Sequence, residues 1–165
     1  MVRKFFANAA VICTLCLASP LAVAATTPKS TGDADEAKAL LMKVVAAVKA
    51  DKFKAIESIN SKDFNDRDLY PFCRDLADSA SLTHANSNSD VMINMDERNF
   101  KDSQGRPFGQ ELLDAAKNAK EGEIREVSYL FPKPGDDPTP VPKVTLVTPI
   151  GDIYCGVGYY KQVNF

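Results

Sequence analysis

The sequence predicts an α+β domain: a five-stranded antiparallel sheet with a long N-terminal helix packed on one face and a loop and helix over the other. Two observations predict this class. An apolar stripe at helical spacing runs through residues 35–50, and a helix with a single apolar stripe must bury it against another layer. Residues 124–160 instead form apolar runs separated by turn residues, a pattern typical of antiparallel strands joined by hairpins.

The first helix is expected to begin near Asp33. Thr31 or Asp33 can cap it, and acidic residues follow where the positive end of the helix dipole lies. A second, shorter helix is predicted over residues 53–59. The stripe that the first helix should bury consists of Ala37, Leu40, Leu41, Val44, Val45 and Val48.

The middle of the chain predicts two strands and another helix. Residues 69–76 and 82–85 are the strand candidates, and the segment 86–96 is rich in Asn, Ser and Asp and is predicted to be a loop. Pro107 suits the first turn of a helix that should end near Gly122.

Three further strands are predicted at residues 124–131, 143–148 and 153–160. The proline-rich segment 132–142 is expected to be a hairpin loop, and Gly151-Asp152 should make the last hairpin tight. The sheet, the helix behind it and the loop-plus-helix in front form a PAS-like layout. The front of such a sheet is a cup, the kind of concavity in which small ligands bind.

Residues 1–25 are typical of a secretory signal peptide, with a basic start, a short apolar run and small residues before the cleavage point. Cleavage is expected after Ala24 or Ala25, and the protein is expected in the periplasm. The apolar run is too short to cross a bilayer. Residues 26–34 are predicted to be a linker, and residues 35–162 a single domain.

Charge and composition exclude several classes of function. The chain carries a formal charge of −2, and without Arg3 and Lys4 it has 18 basic against 22 acidic residues, a charge of −4. An acidic domain without a basic run is not expected to bind nucleic acid. The chain has one histidine and no zinc-ligand spacing, triad signature or phosphate loop. We therefore expect no enzyme activity, no cofactor and no metal site.

Cys73 and Cys155 are the two cysteines that remain after signal removal. In an oxidising compartment two cysteines favour one disulfide. The PAS-like strand order makes the first and last strands neighbours, so a cross-strand bond is geometrically feasible. Two buried thiols and a redox-active pair are the alternatives.

Several segments together resemble the small, single Cache family. They are DLYPF at 68–72, DSQGRPF at 102–108, EVSYLFP at 126–132, PKV at 142–144 and GVGYYK at 156–161, with His84 closing the second strand. The resemblance implies an extracytoplasmic sensor of small organic ligands, often short carboxylates or amines, here in a stand-alone secreted form. The alternative is an interaction module whose cup is self-filled and which docks on a membrane receptor or forms a homodimer.

Strand alternation selects the candidate ligand-binding residues. Tyr129 would present a hydroxyl donor and Lys143 a cation suited to a carboxylate, unless they are a core tyrosine and a solvated lysine. Arg74 could clamp an anion or pair with Asp75 or Asp78. His84 could contact the ligand or serve as a structural hydrogen-bonding group. The full candidate set is Phe72, Arg74, His84, Tyr129, Phe131, Lys143, Thr145 and Tyr159.

Overall fold

The computed structural model describes residues 29–84 and 96–161. The predicted signal peptide and nearly all of the predicted loop 86–96 therefore lie outside the described residues. The elements in chain order are α1 (Ala34–Ala50), α2 (Lys52–Asn60), β1 (Pro71–Asp75), β2 (Ser81–His84), a 3₁₀ helix (Glu97–Asn99), α3 (Phe108–Lys117), β3 (Arg125–Pro132), β4 (Pro140–Ile150) and β5 (Ile153–Tyr160).

The five strands form one antiparallel sheet in the order β2-β1-β5-β4-β3. The first and last strands are therefore central neighbours. Helices α1 and α2 cover one face, which we call the helix side. Helix α3 and the 3₁₀ helix cover the other, which we call the cavity side. This arrangement confirms the predicted α+β, PAS-like fold class.

Helix α1 begins where the sequence predicts, because Asp33 and Glu36 form a reciprocal capping box. The Asp33 carboxylate accepts from the Glu36 backbone N–H, and the Glu36 carboxylate accepts from that of Asp33. Its predicted apolar stripe is buried in full. Asp51 ends α1 and caps α2 with its side chain, so the two helices join without a loop.

Cys73 and Cys155 form a disulfide in the helix-side core. They are direct partners in the β1–β5 register, with Cα atoms 4.1 Å apart, and neither is exposed. The structure thus selects the disulfide among the three alternatives. It also fixes which residues of β1 and β5 share a face, since directly opposed residues point the same way.

The hairpin between β3 and β4 is longer than predicted, and its loop is shorter. Pairing continues to Pro132 and Pro140, so four of the eleven residues of the predicted loop 132–142 are strand. Proline cannot donate to a ladder and is confined to edges. Pro140 and Pro142 satisfy this rule because β5 ends at Tyr160, opposite Lys143, which leaves them with a strand neighbour on one side only.

Within residues 29–84 and 96–161, no helix combines the length and apolar character that a bilayer crossing requires.

Candidate binding cavity

A small cavity lies on the cavity side, between the sheet and α3. Its volume is about 20 Å³, which is room for about one water molecule. Strand residues form its floor and α3 with the 3₁₀ helix forms its cover. The lining residues are Tyr70, Phe72, Arg74, Glu97, Phe100, Phe108, Leu112, Tyr129, Phe131 and Lys143.

The Lys143 ammonium points inward and is surrounded by aromatic groups. The residue is 3% exposed. Nζ donates to the Tyr70 hydroxyl at 2.6 Å and lies 4.2 Å from the centroid of the Tyr70 ring. The rings of Phe131 and Tyr160 each lie 4.9 Å from it. Such contacts stabilise a cation through the ring quadrupole.

Gly158 makes room for this lysine on the neighbouring strand. A Cβ built at Gly158 would overlap Lys143 Cε, so a side chain there would displace the lysine stem. No carboxylate of the described residues lies within salt-bridge distance of Nζ. Burial lowers the pKa of Lys143 to about 7, against a smaller opposing effect of Asp68.

Asp68 lies outside the cavity wall, at the N-terminus of α1. Its Oδ1 accepts from the Gly32 backbone N–H at 2.6 Å. Its Oδ2 is buried and has no hydrogen-bond partner among the described residues. The carboxylate therefore acts on Lys143 through its field and not through contact.

Arg74 and Glu97 form a buried ion pair in the same cavity lining, and each residue is 1% exposed. Arg74 Nε lies 3.3 Å from Glu97 Oε1, and Nη1 donates to the Ser79 carbonyl at 3.0 Å. The Tyr154 hydroxyl donates to Glu97 Oε2. Burial raises the pKa of Glu97 to about 7, opposed by the Arg74 charge and the Tyr154 hydrogen bond.

The partner of Arg74 differs from the prediction, which was Asp75 or Asp78. Arg74 faces the cavity side, where Glu97 lies. The Asp75 carboxylate instead accepts from the Ala77 backbone N–H, and the Asp78 carboxylate accepts from the Ala80 N–H. Both acids thus stabilise the turn after β1.

Tyr129 packs at the centre of the cavity wall. It is the direct partner of Lys143 in the β3–β4 register, and its hydroxyl is 2.8 Å from Thr145 Oγ1. The Phe108 ring stacks on it at 4.2 Å with an interplanar angle of 6°. Burial raises the pKa of Tyr129, which keeps its hydroxyl protonated and able to donate.

Phe108 is held over the cavity by close contact between α3 and the 3₁₀ helix. The Gly109 N–H donates to the Phe100 carbonyl at 3.2 Å. A Cβ at Gly109 would overlap the Glu97 carbonyl oxygen. The missing side chain at Gly109 therefore lets the first turn of α3 touch the turn that carries Glu97.

The predicted site residues divide into three groups. Phe72, Arg74, Tyr129, Phe131 and Lys143 line the cavity together. Thr145 is fully buried and bonds Tyr129 without lining the cavity. Tyr159 is the third case and does not line the cavity.

Tyr159 was expected in the cup but packs with the helix-side core. It lies on the same face of β5 as Cys155, which faces α1. Tyr160, on the other face, is the residue whose ring lies near Lys143 Nζ. His84 pairs with Phe72 in the β1–β2 register, and its side chain lies outside the described part of the chain.

Sequence reasoning did not include Glu97 or Tyr154 in the site. Glu97 directly follows the segment 86–96, which was predicted to be a loop, so no helix or strand pattern marks it as buried. Tyr154 could have been found: once Cys73 and Cys155 are paired, alternation along β5 places positions 154, 156, 158 and 160 on the cavity side. Phe100, Phe108 and Leu112 come from the cover, which strand alternation does not reach.

In the two described ranges no group of three or more His, Cys, Asp or Glu side chains is placed to hold a metal ion.

Comparison with known families gives a match over nearly all of the domain. The family model described as Single Cache domain 2 matches residues 32–162. No curated protein matches the chain significantly.

Solved structures resemble the chain in fold. A periplasmic sensor domain of a chemotaxis protein is 22% identical, with a TM-score of 0.58 over 78% of this chain and 90% of that one. A Cache chemosensory domain, solved to explain its carboxylic acid recognition, is 20% identical, with a TM-score of 0.57 over 78% and 88%. A methyl-accepting chemotaxis protein from Vibrio parahaemolyticus is 23% identical, with a TM-score of 0.60 over 76% and 86%.

Proposed function

The chain belongs to the single Cache domain 2 family, and from this premise we propose that it is a sensory module that binds a small organic carboxylate without catalysis. The proposed site is the cavity under α3, with Lys143 as the group that receives the carboxylate. Tyr70, Tyr129 and Phe131 would form the wall around the ligand. The carboxylate class is also what one structural neighbour recognises.

The observation that carries this proposal is the state of Lys143. A buried ammonium is unfavourable unless an anion or several hydrogen bonds compensate it. Lys143 has one hydroxyl acceptor and three rings, and no carboxylate of the described residues in contact. A carboxylate ligand would supply the missing charge and shift the lysine toward its protonated form.

The cavity must widen to admit such a ligand. Its volume of about 20 Å³ is smaller than any carboxylic acid. Phe108 is the ring that covers Tyr129 from α3, so displacement of this helix is the movement that would open the site. We expect ligand binding to shift α3 relative to the sheet.

We also propose that the protein is exported. The sequence of residues 1–25 and the disulfide both fit an oxidising compartment, and one structural neighbour is a periplasmic domain. The intact mass of protein recovered from the periplasmic fraction tests this. Loss of residues 1–24 or 1–25 would agree, and a full-length chain in the cytoplasm would contradict it.

A thermal-shift screen with short carboxylates, amino acids and amines tests the binding function. A ligand present at 100 times its dissociation constant adds about 2.7 kcal/mol of stability. Lys143→Met should remove the shift caused by carboxylates. Lys38→Met, which removes an exposed lysine of α1, is the matched control and should retain it. Absence of any shift with the native protein would contradict the proposal.

The small cavity favours a second candidate function. A cup filled by its own side chains is what an interaction module needs, with a membrane receptor or a second copy of the chain as partner. Light scattering across a concentration series, with and without short carboxylates, separates the two. A dimer that ignores every carboxylate favours the interaction module, and a carboxylate-dependent thermal shift favours the sensor.

A further inference from the structure

The amino group of Lys143 is held at a defined position in the cavity lining. The residue is paired on both sides in the sheet, with Tyr129 of β3 and with Tyr160 of β5. A Cβ built at Gly158 would lie 2.2 Å from Lys143 Cε, so the lysine stem lies directly against β5. A nucleophile benefits from such positioning, because reaction needs the attacking atom at a set distance and direction from its target.

The surroundings of Lys143 Nζ favour the uncharged amine. Its contacts among the described residues are the Tyr70 hydroxyl, at 2.6 Å, and the ring faces of Tyr70, Phe131 and Tyr160. The rings attract a cation, but the loss of hydration outweighs this attraction and lowers the pKa of Lys143 to about 7. At pH 7 about half of the molecules therefore carry an uncharged amine at this position.

The Tyr70 hydroxyl can exchange protons with this amine. Tyr70 is buried, and burial raises its pKa well above the usual value, so the hydroxyl stays protonated. A phenol both donates and accepts hydrogen bonds, so the contact with Nζ suits the ammonium and the uncharged amine alike. A proton-exchanging group within hydrogen-bond distance of the nitrogen is what the addition of an amine to a carbonyl group requires.

We propose that Lys143 is a covalent attachment site for short aldehydes, whose carbonyl carbon it captures as an imine inside the cavity. A lysine that has lost its hydration in an apolar pocket is a recognised form of activated nucleophile. The product is a stoichiometric and reversible adduct, so no turnover is involved. This inference uses the same lysine as the proposed function but does not rest on carboxylate binding.

The reaction needs no reagent besides the aldehyde. The lone pair of Nζ forms a bond to the carbonyl carbon, and the carbonyl oxygen receives one proton from the nitrogen. The carbon–oxygen bond of this adduct then breaks, and the hydroxyl group takes the second proton of the nitrogen and leaves as water. Amine and aldehyde thus give imine and water without oxidation or reduction. The Tyr70 hydroxyl is the group placed to carry each proton from nitrogen to oxygen.

The cavity suits an aldehyde of small size. An aldehyde has no charge, so it enters an aromatic cavity without the cost of stripping water from an ion. Phe108 and Leu112, which line the cavity from α3, are apolar and fit an alkyl group. Because the cavity volume is about 20 Å³, the shortest aldehydes need the least movement of α3.

Reductive trapping tests the inference in the native protein. Acetaldehyde with cyanoborohydride at pH 7 converts an imine into a stable ethylamine, and peptide mapping by mass spectrometry shows which lysine carries it. At this pH an exposed lysine of ordinary pKa is uncharged about a thousandfold less often than Lys143. The cover over the cavity slows entry, so we expect Lys143 to be ethylated at least about tenfold faster than any exposed lysine. Slower or equal ethylation of Lys143 would overturn the inference.

Two lysine variants locate the reactive amine. Lys143→Met should lose the fast-reacting site while the other lysines keep their rates. Lys38→Met, which removes an exposed lysine of α1, is the matched control and should retain the fast site. Fast ethylation that persists in Lys143→Met would overturn the inference. Because mapping identifies the modified residue in the native protein, the test holds even if Lys143→Met fails to fold.

Carboxylates separate this inference from the proposed function. If both are correct, a carboxylate that raises the melting temperature should protect Lys143, and at ten times its dissociation constant it should slow ethylation about tenfold. Fast ethylation of Lys143 without a thermal shift from any carboxylate would support the covalent site and contradict the proposed function. A carboxylate-dependent shift without preferential ethylation of Lys143 would leave the proposed function standing and overturn the covalent site.

Discussion

The two faces of the sheet are buried by different kinds of side chain. The helix side is aliphatic, with Leu41, Val44 and Ile59 wholly buried beside the Cys73–Cys155 disulfide. The cavity side buries Lys143, Arg74 and Glu97 to 3% exposure or less among aromatic rings.

On the proposed function, this difference divides stability from recognition. Aliphatic burial and a cross-link stabilise the native state. Buried ionised groups reduce stability unless each is compensated, and on the cavity side Arg74 is compensated by Glu97 while Lys143 contacts no described carboxylate. The helix side therefore holds the fold together, and the cavity side retains an unfavourable arrangement that a ligand would relieve.

Removal of the disulfide should give the largest effect. Cys73→Ala with Cys155→Ala releases a cross-link between residues 82 positions apart, and the chain-entropy model gives a loss of about 4 kcal/mol. Urea unfolding followed by circular dichroism measures it. Because the cysteines face α1, carboxylate affinity should stay within about twofold where the variant remains folded. A loss of affinity without a loss of stability would contradict the division between the faces.

Lys143→Met should change stability in the opposite direction. The lowered pKa of Lys143 corresponds to a burial penalty of up to about 4 kcal/mol at pH 7. An apolar side chain of similar length avoids that penalty, so the variant should unfold at higher urea concentration and lose carboxylate binding. Lys38→Met should change stability by no more than about 0.5 kcal/mol. A less stable Lys143→Met protein would show that the ring contacts outweigh burial.

The smallest expected effect is a pH dependence of the stability difference between Lys143→Met and the native protein. The folded pKa of Lys143 lies below its usual 10.5, so between pH 7 and 10.5 the unfolded chain binds more protons and native stability rises with pH. The advantage of Lys143→Met should fall from about 4 kcal/mol at pH 7 to about 2 kcal/mol at pH 9. A pH-independent difference would contradict a buried, titrating lysine.

The contribution of Glu97 to stability changes with pH in the opposite direction to that of Lys143. Its folded pKa is raised from 4.5 to about 7, so between pH 4.5 and 7 the native protein binds more protons and stability falls as pH rises. Together the two groups predict that their joint contribution is lowest near pH 7. The Glu97→Gln variant should not show this fall in stability between pH 4.5 and 7. Its unfolding curves therefore separate the contribution of Glu97 from that of Lys143.

The fold could be predicted from the sequence because its signals are local. The α1 stripe, the capping residues around Asp33 and the tight turn at Gly151 each specify an element without reference to the rest of the chain. The prolines at 140 and 142 led to a wrong prediction of a loop. A strand tolerates proline where it has no neighbouring strand on one side, and this depends on the tertiary structure, here on where β5 ends.

The site was predicted only in part because it depends on pairing between distant segments. Lys143, Tyr129 and Phe131 were found through strand alternation. Tyr159 was assigned to the wrong face because the faces of β5 were not matched to those of β1 through the pairing of Cys73 with Cys155. Glu97 was missed because the partner of Arg74 comes from a segment 23 positions away with no pattern of its own.

The absence of a side chain at Gly109 has a mechanical consequence. The ring that closes the cavity and the acid that faces it are carried by neighbouring turns in direct contact. A molecule that lifts Phe108 therefore pulls on Glu97, and through it on the guanidinium anchored in β1. On the proposed function, a ligand that contacts Lys143 would in this way displace a side chain of β1, an interior strand of the sheet.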